Sequence, residues 1–572
     1  MSRIHALLAA TLLCTMANSQ AQPSAPPPSA AGSSPGLKAG ERFSQDESTV
    51  RTKDSTKVKA AAMRGFHVSD NGDGTYTNPV MPNAHWADAS VVRVGDEFFC
   101  MNSSPDAVPL MQVLRSKDLV NWDVAGSVLP DWPKEWVPAQ NWSPRICHVN
   151  GKFRVMFHIT AQNFQVMEAS RPEGPWEVVP NRFTDMTKQW AANIFTDQDG
   201  SHYMIAANWI QKTSPDALSF VGERKKVVFG PVIENPSLIR KGEFYYWFES
   251  INGSTNLGND PSGGKLAVWR ARSPMGPYEP SPHDFITANT RFQIPNSGSA
   301  VLGPDGNWWF LYNTCDSMRM TMCRQLHLDP ITWDQDGWPV VNNGKGPGLT
   351  HRKPIDGFSP TWLPELTDEF EQDTLEGLTS GTLGRKWLKR WLTPEAWSVS
   401  DGWLKMDTSF PGLCELIPPN LVFQRPTAAH YEISTRLRLL PTGAQQQAGL
   451  LVRETTTGIG LAIGLEPLSG ALDGLNLVVW HSYDGQFKPM TTVKMEGNEV
   501  YLRILMQGMM AQTFFSTDGK IWERLGPKYY FSWNARYFAT FYPGLFAGQS
   551  LQNPTPGRAE FDYFHYTPED RW

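Results

Sequence analysis

The stretch Gly95-Asp96-Glu97-Phe98-Phe99, a glycine turn that leads into an aromatic strand, decides the fold because the chain repeats it. The copies follow one another at intervals of about 40 to 65 residues and show no helical period. They lie at Gly151-Lys152-Phe153, Gly200-Ser201-His202-Tyr203, Gly242-Glu243-Phe244-Tyr245-Tyr246 and Gly306-Asn307-Trp308-Trp309. This spacing is typical of the four-stranded blades of a β-propeller, so the sequence predicts five blades. The alternative is an ordinary all-β domain with chance hairpins.

Each copy is preceded by a short strand that opens with small residues. These segments are Ala89-Ser90-Val91-Val92, Ser143-Pro144-Arg145-Ile146, Ala192-Asn193-Ile194-Phe195, Pro236-Ser237-Leu238-Ile239 and Gly298-Ser299-Ala300-Val301. Because the innermost strands of a closed ring crowd around one axis, small residues are suited to them. We therefore interpret these segments as the inner strands of the five blades.

The length of 572 residues exceeds what one hydrophobic core usually holds, which predicts two domains. Residues 1–21 resemble a secretory signal peptide and 22–65 a disordered linker rich in Pro, Ser and Ala. We expect the propeller in residues 66–364. Residues 365–572 contain alternating strands and hairpin turns, which predict a β-sandwich. A secreted or periplasmic location follows from the signal peptide.

The charge and the aromatic content of the chain limit the classes of binding partner that the sequence favours. The formal net charge is −6 with no long run of either sign, so nucleic acid and membranes are poor partners. Aromatic residues make up 12% of the chain, including 23 Trp. Such rings are used as sugar-stacking platforms, although β-sheets also pack with them. An oligosaccharide or polysaccharide is the favoured partner.

The cysteines do not form a complete disulfide framework, because five remain after the signal peptide. Cys315 and Cys323 are close enough in sequence to form a bridge. The alternative is two buried thiols that only pack against their neighbours.

Two carboxylates stand where inner strands begin. Asp88 directly precedes Ala89, and Glu234 lies two residues before Pro236. Inner strands of different blades converge on one funnel, so these groups are expected to meet in space. Glycoside hydrolysis needs such a pair, one protonated and one ionised. The alternative for each residue alone is a turn residue or a strand cap.

The sequence around these positions resembles glycoside hydrolase family 43, from about Tyr76 to Tyr566. The matching motifs are Asn78-Pro79-Val80, Ala87-Asp88-Ala89-Ser90, Ser116-Lys117-Asp118-Leu119-Val120-Asn121-Trp122, Trp142-Ser143-Pro144, Gly303-Pro304-Asp305-Gly306-Asn307-Trp308-Trp309 and Asp336-Gly337-Trp338-Pro339. The resemblance implies a five-bladed propeller glycosidase that acts with inversion as a β-xylosidase, α-L-arabinofuranosidase or arabinanase. Asp368-Glu369-Phe370 and Phe561-Asp562-Tyr563-Phe564 bracket a segment similar to the concanavalin-like jelly-roll sandwich of its xylosidase-type members.

The resemblance also implies roles for individual residues. Asp88 matches the general base that activates the hydrolytic water, and Glu234, in Glu234-Asn235-Pro236, matches the general acid. For an inverting mechanism these carboxyl groups are expected about 6.5 to 9.5 Å apart. Arg324 resembles an arginine that faces the substrate. Trp86 and Trp142 are interpreted as stacking walls, with the core as the alternative for either.

Two departures from the family pattern stand out. The third carboxylate, which orients and tunes the acid, is replaced by Ala191, and neither Asp185, Asp197 nor Asp199 matches its position. The segment Pro295-Asn296-Ser297-Gly298-Ser299 lacks the histidine that many members use near a central metal ion. We expect no required cofactor; a structural calcium is common in similar proteins, but its ligands cannot be assembled from the sequence.

Three hypotheses for the function follow. The leading one is an inverting glycosidase for β-xylosyl or α-L-arabinofuranosyl linkages in plant polysaccharides. The second is a catalytically impaired relative that binds glycans in the same funnel, since loss of the tuning carboxylate would alter the acid. The third is a propeller glycosidase of another specificity, such as galactan or uronate. Exo or endo action stays open.

Overall fold

The computed structural model describes residues 69–569 apart from a set of short segments. These segments are 82–84, 104–107, 134–140, 160–163, 181–182, 184–185, 187–190, 228–232, 252–263, 319–323, 357–364, 379–384, 391–395, 414–419, 455–456, 469–473, 484, 532–539 and 550–554. The proposed signal peptide and linker lie outside the described residues, and so does Cys323. Cys315 is buried, and the bridge to Cys323 stays a prediction.

The first part of the described chain is built from short antiparallel strands. They are β1 (Thr75–Thr77), β2 (Ser90–Val94), β3 (Glu97–Met101), β4 (Leu110–Ser116), β5 (Asp123–Leu129), β6 (Asn141–Val149), β7 (Lys152–Ile159), β8 (Phe164–Ala169), β9 (Glu177–Val178), β10 (Asn193–Thr196), β11 (His202–Ala206), β12 (Trp209–Lys212), β13 (Lys225–Lys226), β14 (Ile233–Lys241), β15 (Phe244–Ile251), β16 (Lys265–Ala271), β17 (Glu279–Pro280), β18 (Ile286–Thr287), β19 (Phe292–Leu302), β20 (Trp308–Asp316), β21 (Gln325–Trp333), β22 (Pro339–Val341) and β23 (Thr350–Arg352). A short 3-10 turn covers Asn342–Gly344. In the parts of the chain that the structure describes, no helix is long and apolar enough to cross a membrane.

These strands form five blades. The four-stranded orders are β2-β3-β4-β5, β6-β7-β8-β9, β10-β11-β12-β13, β14-β15-β16-β17 and β19-β20-β21-β22, with β18 added to β16 in the fourth sheet. The inner strands contact one another in the order β2, β6, β10, β14, β19, and β19 returns to β2. The chain therefore closes into a ring, and the predicted five-bladed propeller is confirmed. We number the blades one to five in this order.

The ring is closed by the segment that precedes blade one. Strand β1 pairs antiparallel with β23, which follows blade five. The Tyr76 hydroxyl donates to the Leu328 carbonyl at 2.7 Å, and the Asn78 amide donates to the same carbonyl at 2.8 Å. Because these bonds join residues about 250 positions apart, they fasten the two ends of the propeller.

The axis of the ring is as crowded as the small residues predict. A Cβ added to Gly298 on β19 would lie 2.5 Å from the Phe310 ring and 2.7 Å from the Leu311 carbonyl oxygen. A cavity of about 120 Å³ remains on the axis, lined by inner-strand residues of all five blades, including Val91, Ile146, Ile194, Ser237 and Ser299. Glycine at position 298 is thus required by space rather than by backbone angle.

The second part of the chain forms two stacked sheets. Its strands are β24 (Trp387–Lys389), β25 (Trp397–Ser400), β26 (Trp403–Asp407), β27 (Leu421–Gln424), β28 (His430–Leu440), β29 (Gln446–Glu454), β30 (Gly460–Pro467), β31 (Leu475–Ser482), β32 (Lys488–Met495), β33 (Glu499–Gln507), β34 (Met510–Ser516), β35 (Glu523–Tyr530), β36 (Phe541–Gln549), β37 (Arg558–Phe561) and β38 (His565–Pro568). The sheet orders are β24-β27-β36-β29-β30-β31-β32 and β25-β26-β37-β28-β33-β34-β35, with β38 added to β28. Residues along β28 alternate strictly between buried and half-buried, which places one face of that sheet in the core. The predicted β-sandwich is confirmed.

The sandwich is attached to blade one. The backbones of Val108 and Lys389 exchange two hydrogen bonds of 2.8 Å, and the Lys389 ammonium donates to Asp131 at 2.8 Å. Arg385 forms an ion pair of 3.1 Å with Asp123. The two domains therefore share a polar, hydrogen-bonded interface that includes both ends of β5, the outermost strand of blade one.

Candidate active site

One residue at the mouth of each blade adopts a left-handed backbone conformation. The φ angles are 59° at Asp88, 49° at Ser143, 56° at Ala191, 59° at Asn235 and 46° at Ser297. Residues other than glycine rarely adopt this conformation, and it occurs preferentially at functional sites. In blades two, four and five it coincides with a bulge of the inner strand. The repeat thus turns five side chains toward one mouth of the funnel.

Asp88 lies at the centre of this mouth and is only 4% exposed. Its Oδ2 accepts a hydrogen bond of 2.5 Å from the Ser103 hydroxyl. Its Oδ1 accepts bonds from the Ser297 hydroxyl at 2.9 Å and from the Asn235 amide at 3.3 Å. The side chains of three blades therefore converge on a single carboxylate.

The charge on Asp88 is stabilised despite its burial. Burial alone raises its pKa, but the Arg324 guanidinium, 3.7 Å from Oδ1, lowers it. The hydrogen bonds from Ser103 and Ser297 and the charge of Arg145 act in the same direction, so the pKa of Asp88 lies below its ordinary value. These contacts therefore favour the ionised form of Asp88.

Arg324 connects Asp88 to an aromatic surface. Its backbone φ is 56°, and its carbonyl accepts the Trp86 N–H at 3.0 Å. Its guanidinium lies 5.7 Å from the centre of the Trp142 ring. Trp142 is half-buried on β6, opposite His158. Arg324 thus lies between Asp88 and the Trp142 ring, and the substrate-binding roles of Arg324 and Trp142 stay predictions.

The environment of Trp86 differs from the one expected of a residue that stacks against a sugar. It is 1% exposed and belongs to the core between blades one and five. The Arg425 guanidinium of the sandwich lies 4.3 Å from the centre of its ring. Because the ring is covered, a sugar cannot stack on it in this conformation. The structure therefore favours the core alternative for Trp86.

Glu234 lies at the start of β14, opposite Ser250 of β15, and is half-buried. The left-handed residue of blade four is its neighbour Asn235, so Asn235 rather than Glu234 is the repeat counterpart of Asp88. The Asn235 amide contacts Asp88, so the backbone of Glu234 lies next to a residue that reaches the mouth. The predicted separation of the two carboxyl groups stays a prediction.

Ala191 takes the corresponding position in blade three. It has the left-handed angle of Asp88 and is buried, so no carboxylate stands there. Asp197 accepts bonds from Tyr245 at 2.6 Å and Arg240 at 3.1 Å on the flank of the blade. Asp199 accepts the Ser201 N–H in an exposed turn. Asp185 lies outside the described residues.

Ser297 lies in the blade-five segment that lacks the histidine of the family pattern. Its hydroxyl is hydrogen-bonded to Asp88, and its neighbours Asn235 and Asn296 contact it as well. Among the described residues no three His, Cys, Asp or Glu side chains are grouped to hold a metal ion. The mechanism proposed below uses no metal ion.

The sandwich contributes to the surroundings of Asp88. Besides covering Trp86, Arg425 donates to Gln112 of blade one at 2.7 Å. His85, next to Trp86, is buried, and burial together with the nearby Arg324 lowers its pKa to about 3. His85 is therefore a neutral ring beside the charged pair of Arg324 and Asp88. Sequence reasoning missed Arg425, His85 and Ser103.

A five-bladed ring with the Asp88 carboxylate at one mouth, joined to a β-sandwich, is the architecture expected of a carbohydrate-active hydrolase. Comparison with known proteins specifies the class further. Residues 76–339 match the model of glycosyl hydrolases family 43, and residues 379–567 match that of the β-xylosidase C-terminal concanavalin A-like domain. The chain belongs to glycosyl hydrolase family 43 and is a glycosidase that acts on O-glycosyl bonds.

Individual relatives are similar over much of the chain. Over 422 residues it is 26% identical to the non-reducing end alpha-L-arabinofuranosidase BoGH43B of Bacteroides ovatus, covering 66% of this chain and 74% of that protein. It is 24% identical over 568 residues to the xylan 1,3-beta-xylosidase of a Vibrio species, covering 86% and 99%. The crystal structure of the GH43 BlXynB protein from Bacillus licheniformis superposes with a TM-score of 0.74 at 25% identity, covering 86% and 100%.

Proposed function

We propose that the protein removes β-xylosyl or α-L-arabinofuranosyl units from plant polysaccharides or oligosaccharides with inversion. In this mechanism Glu234 is the general acid and Asp88 the general base. Glu234 gives its proton to the glycosidic oxygen as the bond to the anomeric carbon breaks. A water held by Asp88 attacks that carbon from the opposite face and gives its proton to Asp88. Solvent then restores both protonation states.

The observation that carries this proposal is the environment of Asp88. A general base must be ionised, and Arg324 with the hydroxyls of Ser103 and Ser297 keeps it so. Within the described residues Oδ2 accepts only the Ser103 hydroxyl, whereas Oδ1 has three polar neighbours. Because each carboxylate oxygen has two lone-pair sites, Oδ2 has capacity for the attacking water.

The substrate class is supported by the wall of the mouth and by the relatives. Trp142 and Arg324 together offer an apolar ring face beside a hydrogen-bond donor, which suits a sugar ring with its hydroxyl groups. Relatives similar to this chain are described as an arabinofuranosidase and a xylosidase. Trp142 and Arg324 are therefore the proposed substrate-binding residues.

The test uses the two carboxyl groups with substrates of different leaving-group ability. We expect Glu234→Gln to lose activity on xylo- and arabino-oligosaccharides but to retain much of it on a dinitrophenyl pentoside, whose leaving group needs no proton. Asp88→Asn should lose activity on both. Proton NMR of the first product should show the inverted anomer. Equal losses on both substrates in Glu234→Gln, or a retained anomer, would contradict the assignment.

A catalytically impaired glycan-binding relative is the second candidate, because Ala191 stands where the family pattern has its third carboxylate. The same substrate panel decides between the two. Calorimetric binding of xylan or arabinan fragments without release of any sugar, in protein that also cleaves no aryl pentoside, would favour that candidate. Cleavage confined to galactan or uronate fragments would favour the third hypothesis.

We also propose that the protein is exported, on the basis of residues 1–21. The prediction is that mature protein from the native host lacks this segment and is recovered from the medium or the periplasm. N-terminal sequencing of the recovered protein tests it, and an intact residue 1 on cytoplasmic protein would contradict it.

A further inference from the structure

Asn235 of blade four connects the two proposed catalytic residues. It follows Glu234 on the chain, and its amide nitrogen Nδ2 donates to Asp88 Oδ1 at 3.3 Å. The same nitrogen donates to the Ser297 hydroxyl, which itself donates to Asp88 Oδ1 at 2.9 Å. The side chains of Asn235 and Ser297 thus form a closed triangle of hydrogen bonds with one carboxylate oxygen. The mechanism above gives Asn235 no part.

The Asn235 amide group fits Asp88 in one orientation. An ionised carboxylate accepts hydrogen bonds and donates none, so the amide must present its nitrogen. With the amide turned over, Asn235 Oδ1 would lie against a carboxylate oxygen and be repelled by it. In the orientation that fits, Asn235 Oδ1 is buried and has no hydrogen-bond partner among the described residues. Because a buried acceptor without a partner is unfavourable for folding, the contact with Asp88 explains this orientation and stability does not.

The backbone of Asn235 is adapted to the same contact. The residue is only 3% exposed, and its φ is 59°. The pairing of β14 with β15 shifts between Glu234 and Ser237, so Asn235 lies in a bulge. A bulge re-aims a side chain, and left-handed residues other than glycine concentrate at functional sites. The bulge and the left-handed angle together turn the Asn235 amide toward Asp88.

The two oxygens of Asp88 have different surroundings. Oδ1 faces Asn235, Ser297 and Arg324, which all carry hydrogen-bond donors. Oδ2 accepts only the Ser103 hydroxyl within the described residues, at 2.5 Å. A carboxylate oxygen has two lone-pair sites, so Oδ2 is the oxygen with room for a proton.

We propose that Asn235 is a positioning residue for the base: its amide holds the Asp88 carboxylate so that Oδ2 faces the attacking water. This inference rests on the proposed role of Asp88. In that step an O–H bond of the water breaks while its oxygen bonds to the anomeric carbon, and the proton passes to Oδ2. Oδ1 can accept the Asn235 N–H before and after this transfer, so the carboxyl group keeps its orientation.

Three titratable groups from other elements interact electrostatically with Asp88. They are Arg324 before β21, Arg145 on β6 and His85 before blade one. Blade four contributes Glu234, the chain neighbour of Asn235. Because none of these groups is altered in the variants below, a shift of the pH profile reports the group at position 235.

The test is the pH dependence of kcat and kcat/KM for Asn235→Gly and Asn235→Asp on the best pentoside substrate. Glycine adopts the left-handed backbone without strain, so only the amide is lost. We expect kcat to fall about tenfold with KM within about twofold, because the amide contacts the base. The acidic limb of kcat/KM should rise by about half a pH unit, since a donor to the ionised carboxylate is removed. Asn235→Asp sets a second carboxyl group against Asp88, so the limb should rise by more than about one unit.

Asn343→Gly is the matched control. Asn343 has a similar φ of 53° but is exposed, in the 3-10 turn after blade five. Its profile should superimpose on that of the wild type. An Asn235→Gly profile that coincides with this control would overturn the inference while leaving the proposed function intact. A loss of activity with an unmoved limb and a lower melting temperature would reduce Asn235 to a structural role, which also overturns it.

An infrared titration gives a measurement that needs no turnover. The carboxylate band that disappears in Asp88→Asn reports Asp88, and its titration midpoint should be higher in Asn235→Gly than in the wild type. Equal midpoints would refute the inference. A wild type that hydrolyses no pentoside but shows the shifted midpoint in Asn235→Gly would instead overturn the proposed function and leave the contact of Asn235 with Asp88 in place.

Discussion

The Arg425 guanidinium lies 4.3 Å from the centre of the Trp86 ring, although the two residues belong to different domains. The same side chain donates to Gln112 of blade one. The Trp86 N–H in turn donates to the backbone carbonyl of Arg324, whose guanidinium faces Asp88. A continuous line of contacts therefore joins the sandwich to the carboxylate at the mouth. The sandwich acts as part of the support of the active site.

Arg425→Met should weaken both stability and activity. Methionine keeps the apolar stem but removes the contact with the Trp86 ring and the bond to Gln112, so we expect a loss of about 2 kcal/mol in the free energy of unfolding. Because Trp86 helps to position Arg324, kcat/KM should fall about tenfold. Urea unfolding followed by tryptophan fluorescence, together with pentosidase assays, measures both effects.

The matched control for Arg425 is Arg272→Met. Arg272 is exposed on blade four, where it pairs with exposed Glu243 and lies 4.6 Å from the centre of the Phe244 ring. Its loss should change stability by less than about 1 kcal/mol and leave kcat/KM unaltered. If Arg425→Met behaves like this control, the sandwich does not support the active site through that residue.

Ser103→Ala should move the acidic limb of the pH profile upward. Asp88 must be ionised to act as a base, so activity is lost as the pH falls through its pKa. The Ser103 hydroxyl lowers that pKa, and its removal should raise the limb by about half a pH unit. The measurement is kcat/KM from pH 3 upward. Ser127→Ala, which removes a buried hydroxyl on β5 bound only to the Leu110 carbonyl, should not move the limb.

Lys353→Met should destabilise the closure of the ring. The Lys353 ammonium is 3% exposed and contacts Asp70 at 2.5 Å and Asp118 at 3.1 Å. Its removal leaves the fully buried Asp118 without this cation, so we expect a loss of about 3 kcal/mol near neutral pH. Lys152→Met, which breaks an exposed pair with Glu168, should cost less than about 1 kcal/mol. Equal losses in both variants would show that the buried cation has no special part in the closure.

The pH dependence of this closure follows from the shifts of its members. Burial lowers the pKa of Lys353, but its bonds to Asp70 and Asp118 outweigh that effect and raise the pKa above 10.5. The pKa of Asp70 is lowered below 3.8, mainly by Lys353 acting against burial. The stabilisation is therefore complete between about pH 4 and pH 10.5 and is lost as the pH leaves that window on either side. Thermal unfolding of Lys353→Met should lack the alkaline part of this dependence.

The repeat was sufficient to predict the fold, because each blade carries its own local signal of glycine turn and aromatic strand. The order of the blades followed from the spacing of this repeat, and so did the position of Asp88 at the start of an inner strand. Glu234 was placed one residue out of register with Asp88, since the bulge between Glu234 and Ser237 is not visible in the residue pattern. A bulge changes which residue faces the axis without changing the composition of the strand.

The contacts that hold the site residues in place could not be predicted, because they are made by residues far away in the sequence. Ser297 contacts Asp88 across a separation of 209 residues. Arg425 contacts Trp86 across the boundary between the two domains. The sequence predicts a stacking wall at Trp86 because a tryptophan two residues before a candidate catalytic carboxylate suits that role as well as it suits the core. Its burial depends on a sandwich residue that no local pattern connects to it.

Gly298→Ala tests whether the axis of the propeller has room for one more methyl group. The added Cβ would meet the Phe310 ring at 2.5 Å and the Leu311 carbonyl at 2.7 Å, and the carbonyl belongs to the paired strand β20. Since backbone cannot yield as a flexible side chain does, we expect a loss of at least about 2 kcal/mol in the free energy of unfolding.

Gly242→Asn offers the comparison, because a Cβ there meets nothing within 4 Å and asparagine tolerates its φ of 60°. That variant should lose less than about 1 kcal/mol in the same urea titration. If Gly298→Ala lost as little stability as Gly242→Asn, the inner strands would be able to move apart to admit the methyl group. The packing of β19 would then not hold Ser297 against Asp88.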